Sequence, residues 1–325
     1  MSSPGTELPR ERMDGSTSWR RRPELGNQTL LGLMAALSLR LGRPFGRTLL
    51  HAVGAYYFVF APTARAPMRE YLRRALGREP RARDRLRQIM SFATTIQDRL
   101  YLLAGRYPLF DVTVQGEEVM RAALASGGGA FLMGAHMGSF EVLRVVGRRQ
   151  SGLSIAMAMY EDNARKLNAI LAAAAPTDPP EIIPIGRLDS MLRIQARLEQ
   201  GGLVGVLADR LFGDEPSLPV NFLGAIAHFP TGPMRVAAIL RRPVVFMLGL
   251  YRGGNRYHLV FESLADFSAT PAAERQAAIE AAIRRYAAAL ERYCRSDPYN
   301  WCNFFGFWGD HATGGSPQTP AVQPR

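Results

Sequence analysis

The chain has 325 residues, 47% of them hydrophobic, which is enough to fill the core of one large domain or two modest ones. Its net charge is +12, yet residues 1–110 hold 19 arginines against 8 acidic residues and so carry +11 of that charge. This asymmetry argues against a uniformly basic nucleic-acid-binding protein. The two cysteines, Cys294 and Cys302, have no metal-ligand spacing, and we predict neither a disulfide framework nor a metal site.

The first third of the chain is predicted to be helical and basic. Residues 1–23 are polar and Arg-rich and are expected to form a disordered leader without the apolar segment of a secretory signal. Residues 24–110 are predicted to contain helices at 27–41, 47–60 and across the Arg-dense stretch 67–106. The longest apolar run, 48–61, spans about 14 residues, fewer than the roughly 20 that a membrane-crossing helix needs. We therefore expect helices that associate with an anionic membrane surface.

From residue 111 onward, short apolar runs alternate with helical patterns. This rhythm predicts an α/β core over 111–310 with a mixed central sheet flanked by helices, followed by a disordered tail at 311–325. The glycines at 253–254 predict a hairpin between the last two strands. Strands are predicted at 112–115, 130–135, 153–157, 181–185, 203–208, 220–223, 244–251 and 257–262. Helices are predicted at about 138–149, 162–174, 188–200, 231–241 and 272–295.

The segment GAHMGSFE, residues 134–141, carries the clearest chemical signal. An apolar strand ends in a glycine-bracketed turn, which places His136 at a carboxyl strand end, where active sites of α/β sheets lie. Glu141 follows five residues later. If the chain turns at Gly138, Glu141 can face back to the imidazole and hold one ring nitrogen, leaving the other free as a base. A structural histidine beside a helix-start glutamate explains the same spacing.

Other catalytic signatures are missing from the sequence. It contains no G-x-S-x-G nucleophile elbow and no HExxH zinc motif. The three glycines at 127–129 precede their strand rather than follow it, unlike a phosphate-binding loop.

The GAHMGSFE segment resembles the H-x4-D/E block of the bacterial lipid A biosynthesis acyltransferases, the lauroyl and myristoyl transferases of the glycerolipid acyltransferase superfamily. Four further segments are similar to blocks of that family in the same order, and the resemblance spans roughly residues 25–310. They are VGVLADR at 204–210, VNFLG at 220–224, PTGP at 230–233 and PYNW at 298–301.

The resemblance implies an enzyme on the cytoplasmic face of the inner membrane that takes a fatty acyl group from acyl carrier protein or coenzyme A. The acceptor would be a hydroxyl of a glycolipid such as a lipid A precursor. His136 would deprotonate that hydroxyl and Glu141 would orient the histidine, with no covalent acyl-enzyme. No cofactor besides the acyl donor and no nucleic-acid partner are expected.

Four further residues are candidates for binding the substrate or the reaction's oxyanion. Arg210 is the first, because an arginine beside the strand-terminal Asp209 suits phosphate and oxyanion geometry. A surface Asp–Arg pair would look the same. Arg187, after the strand at 181–185, is a similar candidate, and His228, before PTGP, is another, although a loop histidine is the simpler interpretation of it.

The end of the core departs from the family pattern. Residues 302–308, CNFFGFW, are apolar and aromatic where the lipid A enzymes usually have basic residues and another tryptophan. The acceptor therefore stays open, and a related branch that acts on another lipid or on an aryl-polyene-type product fits as well. Two rival functions remain: a lipid esterase or hydrolase that uses the same His/Glu dyad, and a non-catalytic lipid-binding protein.

Overall fold

The structure is a computed structural model. It describes residues 38–60, 62–143, 145, 147, 155–160, 181–186, 189–212 and 215–308. The predicted leader, the tail, most of the 27–41 helix and the helix at 162–174 lie outside these residues, and the predicted domain boundaries stay predictions.

The described part of the N-terminal region contains three long helices, preceded by a helical turn at 38–41. They are α1, Arg43–Phe60; α2, Pro62–Leu76; and α3, Ala82–Leu103. The first begins directly after Gly42, whose positive φ of 89° suits glycine, and has Pro44 in its first turn. Along the described part of the chain, no helix is both long and apolar enough to cross a bilayer.

The core contains a central seven-stranded sheet with the order β1-β9-β8-β2-β5-β3-β4, and a separate hairpin of β6 and β7. All neighbouring pairs of the large sheet are parallel except β8 and β9, which form the predicted hairpin. The strands are β1, Asp111–Gln115; β2, Ala130–Gly134; β3, Ile155–Tyr160; β4, Glu181–Ile185; β5, Leu203–Leu207; β6, Ser217–Phe222; β7, Ala225–Pro230; β8, Pro243–Tyr251; and β9, Arg256–Asp266.

Four more helices whose bounds lie within the described residues accompany the strands. They are α4, Glu117–Leu124; α5, Ser190–Glu199; α6, Gly232–Ile239; and α7, Arg275–Ser296. Side chains alternate between the two faces of the sheet, as the two-residue period of a strand requires. Phe131 and Met133 pack into one core with α2, α5, α6 and α7, whereas Ala130 and Leu132 pack into a second core with α3 and α4. Both faces are therefore covered, which explains the nearly unbroken apolar runs of β2 and β5.

The prediction of a mixed α/β core is confirmed, and each of the eight predicted strands overlaps an observed one. Two elements were missed. The segment 225–230, which contains His228, is strand β7 rather than a loop, and Glu117–Leu124 is a short helix. The predicted helix at 138–149 begins later than expected: a 3-10 turn, Phe140–Val142, follows the strand end, and the described residues 143, 145 and 147 after it are helical.

Candidate functional site

The candidate site lies at the carboxyl ends of β2 and β5. These strands are parallel neighbours with Gly134 paired to Leu207, so the residues that follow them emerge side by side. His136 follows β2 and Asp209 follows β5, and the backbone N–H of Ala208 donates to Gly134 O at 3.0 Å. The fold thereby joins two residues that are 73 positions apart in the sequence.

Asp209 holds the imidazole of His136 on its Nδ1 side. Nδ1 lies 2.8 Å from Asp209 Oδ1, and the backbone N–H of His136 donates to Oδ2 at 3.1 Å. Because an ionised carboxylate only accepts hydrogen bonds, we infer that Nδ1 carries the proton. The other nitrogen, Nε2, has no hydrogen-bond partner among the described residues, and the histidine side chain is 26% exposed. An imidazole that is held in one tautomer and accessible at its other nitrogen has the chemistry needed for a general base.

The electrostatics of the pair keep the carboxylate charged and the imidazole neutral. Burial, the largest effect, lowers the pKa of His136 from its ordinary value of 6.5; Asp209 opposes this shift and the charge of Arg210 adds to it. Burial alone would raise the pKa of Asp209. The interaction with His136, the charge of Arg210 and the hydrogen bond from Trp301 outweigh it and hold that pKa well below its usual range. A neutral imidazole can accept a proton at neutral pH.

A C-terminal segment, residues 298–303, forms the wall of the site. The indole N–H of Trp301 donates to Asp209 Oδ2 at 2.9 Å, and Trp301 bridges Met137 in an isolated antiparallel pair. The backbone N–H of Cys302 donates to His136 O at 2.8 Å. The PYNW motif therefore closes over the histidine turn and supplies the third hydrogen bond to Asp209.

Two N-terminal helices fix this wall from behind. The hydroxyl of Tyr71 on α2 donates to Pro298 O at 2.8 Å, and the side-chain amide of Gln88 on α3 donates to Trp301 O at 2.9 Å. Both side chains are completely buried. The basic N-terminal region is therefore part of the framework of the site as well as a neighbour of the sheet.

Glu141 does not contact the imidazole, which corrects the geometry expected from the H-x4-E spacing. Its Oε2 accepts from the hydroxyl of Ser139 at 3.1 Å, and its Oε1 lies 2.6 Å from Arg99 Nε in an ion pair without aligned hydrogen-bond geometry. The reason is the 3-10 turn that follows Ser139, which directs Glu141 toward α3. Asp209 takes the position at Nδ1 that was predicted for Glu141.

Gly138 makes the sharp turn after the histidine possible. Its φ is +71°, and a Cβ at this position would lie 2.0 Å from Gly249 O. The close approach lets the backbone N–H of Ser139 donate to Gly249 O at 2.8 Å, and that of Gly138 donate to Asn300 O at 3.0 Å. The turn is thereby fastened to β8 on one side and to the C-terminal wall on the other.

Hydrogen-bond donors without a partner lie beside the pair formed by His136 and Asp209, which we call the dyad from here on. Arg210 donates through Nη2 to Cys302 O at 2.8 Å and stacks on Phe305 at 4.9 Å, but its Nε is buried and has no partner in the described structure. The side-chain amide of Asn303 is also buried and unpaired there. Unpaired buried donors are costly, and this cost is expected to be relieved when a ligand oxygen binds. Asn303 was not identified from the sequence.

The remaining candidates lie apart from this arrangement or outside the described residues. Arg187 is outside the described ranges. His228 lies on β7, where its Nδ1 is 3.2 Å from the hydroxyl of Ser217, and it makes no contact with the dyad. Asp209 was a candidate for substrate binding, yet it is fully buried and bound to His136. Within the described ranges, no cluster of three His, Cys, Asp or Glu side chains could hold a metal ion.

Comparison with known proteins identifies the family. Residues 20–308 match the family model for bacterial lipid A biosynthesis acyltransferase. Comparison with curated protein sequences gives no match. The family match covers the helices, the sheet, the His136 turn and the PYNW wall, in agreement with the resemblance seen in the sequence. The chain belongs to the bacterial lipid A biosynthesis acyltransferase family.

Proposed function

We propose that this acyltransferase moves a fatty acyl group from a thioester, on acyl carrier protein or coenzyme A, to a hydroxyl of a glycolipid such as a lipid A precursor. The observation that carries the proposal is the His136–Asp209 pair at the carboxyl edge of the sheet, in which no described residue bonds Nε2 of the imidazole. A base held in one tautomer and open on its other nitrogen suits deprotonation of an alcohol.

In the first step, the acceptor hydroxyl lies at His136 Nε2 and loses its proton as its oxygen attacks the thioester carbonyl carbon. The imidazole becomes imidazolium, and the charge of Asp209 stabilises that cation at 2.8 Å. No covalent acyl-enzyme forms, because the acceptor oxygen is itself the nucleophile. General-base assistance of this kind contributes roughly 10²–10⁴-fold to a rate.

In the second step, the tetrahedral oxyanion collapses. The C–S bond breaks, the sulfur leaves and takes the proton from the imidazolium, and the products are an ester and a free thiol. Arg210 is the proposed donor to the oxyanion, since its Nε is buried beside the dyad without a partner among the described residues. The amide of Asn303 is a second donor of suitable chemistry. Such donors contribute about 10²–10³-fold each.

Glu141 belongs to the proposal as a positioning residue. It is 5% exposed and joins Arg99 on α3 to Ser139 in the turn after the histidine. The charge of Arg99 lowers the pKa of His136, and the carboxylate of Glu141 lies directly beside that charge. We expect Glu141→Gln to shift the pH profile of the base as well as the rate, whereas a purely structural role would leave the profile in place.

The proposal places the enzyme on the cytoplasmic face of the inner membrane through α1. Large apolar side chains recur along one side of this helix at spacings of three or four, and they are exposed rather than packed: Phe45, Leu49, Val53, Tyr56 and Phe60. A helix with an uncovered apolar stripe and no acidic residue in its first turn suits the interface of an anionic membrane. Replacing Leu49 and Val53 by serine should reduce co-sedimentation with anionic vesicles at fixed salt; unchanged binding would place the contact elsewhere.

Product analysis tests the reaction. The purified enzyme is incubated with acyl carrier protein or coenzyme A thioesters and a lipid A precursor, and mass spectrometry follows the lipid. We expect a mass gain of one acyl chain that is lost in His136→Ala but retained in the control His258→Gln, because His258 bonds Thr113 and Gln115 at the sheet edge. Free fatty acid without acylated lipid would show a hydrolase instead, and binding without either product would show a lipid-binding protein.

A further inference from the structure

A basic cavity lies beside the candidate site. It has a volume of about 430 Å³ and is enclosed by α1, α3, the β8–β9 turn and residues 297–300. Its lining includes three arginines and two hydroxyl side chains: Arg47, Arg87, Arg252, Ser91 and Thr94. We call it the arginine cavity. It does not contain His136, and the proposed chemical steps do not use it.

The first source of positive charge in the cavity is Arg47 on α1. Arg43 binds both oxygens of Asp98, at 2.7 and 2.8 Å, so this carboxylate is already neutralised before Arg47 approaches it. Arg47 Nη2 is 3.5 Å from the same Asp98, and its buried Nε has no partner among the described residues. The charge of Arg47 is thus incompletely balanced.

The second source of positive charge lies on the other side of the cavity. Arg252 is paired with Asp297. Arg87 makes no ion pair within the described structure and stacks 4.5 Å from the centre of the Tyr299 ring. Among the lining residues, the three guanidinium groups of Arg47, Arg87 and Arg252 accompany one carboxylate, that of Asp297, which leaves an excess of two positive charges. An excess of this size matches the charge of a phosphate monoester at neutral pH.

Neutral donors complete the lining. Ser91 and Thr94 are buried residues of α3, and both line the cavity. Hydroxyl and guanidinium donors together match the several acceptor oxygens of a phosphate group. Buried polar groups are seldom left unpaired inside a protein, and the unpaired Nε of Arg47 belongs to a residue that lines a space large enough for a ligand.

The cavity is connected to the dyad through the C-terminal wall. Asn300 lines the cavity, and its side chain bonds the backbone of Tyr251 at 2.7 and 3.1 Å. Two residues further on, Cys302 bonds His136 O at 2.8 Å. Two extended residues span about 7 Å, so a group bound in the cavity lies on the order of 10 Å from the base.

We infer that the arginine cavity binds a phosphate group on the headgroup of the acceptor lipid while a hydroxyl of the same headgroup reaches His136. This inference rests on the proposed function. The acceptor is favoured over the donor because α1 contributes Arg47 and His51 to the cavity and carries the exposed apolar stripe. A lipid at that interface presents its headgroup to the cavity directly.

Binding is tested first without turnover. Thermal melting is measured with increasing inorganic phosphate, and sodium chloride at the same ionic strength is the reference. We expect phosphate to raise the melting temperature of the wild type and of Arg83→Gln, an exposed arginine one turn before Arg87 on the same helix. Arg87→Gln should require at least tenfold more phosphate for the same rise. Equal phosphate responses in both variants would overturn the inference, whether or not the protein transfers acyl groups.

Kinetics then identify the source of the phosphate. The acceptor lipid is compared with its dephosphorylated form, and acyl coenzyme A is compared with the phosphate-free donor acyl-N-acetylcysteamine. We expect Arg87→Gln to raise KM at least tenfold for the phosphorylated acceptor alone, with either donor and with little change in kcat. If Arg87→Gln impairs acyl transfer only when acyl coenzyme A is the donor, the cavity binds the donor and the inference is overturned. If no acyl transfer occurs, the proposed function fails and the melting experiment alone decides the cavity.

Discussion

Replacing Asp209 with asparagine changes one functional group at the centre of the site. The two side chains have the same shape, so the packing around this fully buried position is retained. Oδ2 accepts from two donors, the backbone N–H of His136 at 3.1 Å and the indole of Trp301 at 2.9 Å. The amide oxygen of asparagine should take this position, because an NH2 group there would oppose two N–H donors.

The amide NH2 then falls at the position of Oδ1, 2.8 Å from His136 Nδ1. It donates a hydrogen bond, so Nδ1 must accept and the ring proton moves to Nε2. A base that already carries the proton cannot deprotonate the acceptor. The variant also loses the negative charge that stabilises the imidazolium. An orienting aspartate in a comparable triad is worth about 10⁴-fold, and we expect a loss on the order of 10³–10⁴-fold.

Single-turnover acyl transfer and thermal melting, measured on the same preparations, test this reasoning. Asp209→Asn should keep a melting temperature near that of the wild type, since two hydrogen bonds to the retained oxygen persist. Glu141→Gln is the matched comparison, because it neutralises the carboxylate that contacts Arg99 and Ser139 instead. A rate above about a tenth of wild type in Asp209→Asn, with a larger loss in Glu141→Gln, would refute the assignment of Asp209.

Three further predictions concern the same site. Trp301→Phe removes a charge-assisted hydrogen bond to Asp209 and part of a buried ring, and should lower the free energy of unfolding by about 2–4 kcal/mol in denaturant titrations. Gly138→Ala combines a positive φ with a Cβ 2.0 Å from Gly249 O, and should cost more than about 2 kcal/mol in the same titration; a neutral result would mean that the turn relaxes. The pKa of His136 is lowered, so the neutral base persists as pH falls, and the acidic limb of kcat/KM should lie below about pH 6.5; a midpoint above 7 would contradict it.

Local patterns in the sequence predict much of the fold. Seven of the eight apolar runs became strands of the large sheet, and the run at 220–223 became part of β6 in the separate hairpin. The glycines at 253–254 turn the last hairpin of the large sheet. Strand β7 was missed for two reasons. It contains His228, which interrupts the apolar pattern, and its last residue, Pro230, was interpreted as the start of the next helix. Helix α4 was missed because it has only eight residues.

The site could be predicted only in part, because His136 and Asp209 are distant in the sequence and become neighbours only when β2 and β5 pair in the sheet. His136 was found from its strand end and its glycine-bracketed turn. Its partner could not be identified from spacing, because nothing local states that β5 is the parallel neighbour of β2. Glu141 is close in sequence, but the 3-10 turn directs it to Arg99. The PYNW motif is even further away in the sequence: Trp301, which donates to Asp209, follows it by 92 positions.

Nitrogen-15 NMR of the histidine-labelled enzyme tests the central claim most directly, with the His136 signals assigned by comparison with His136→Ala. The account predicts an Nδ1-protonated, neutral imidazole at neutral pH, whose Nδ1 proton signal is lost in Asp209→Asn and persists in Glu141→Gln. An Nε2-protonated ring in the wild type, or an Nδ1 proton that depends on Glu141 and not on Asp209, would contradict it.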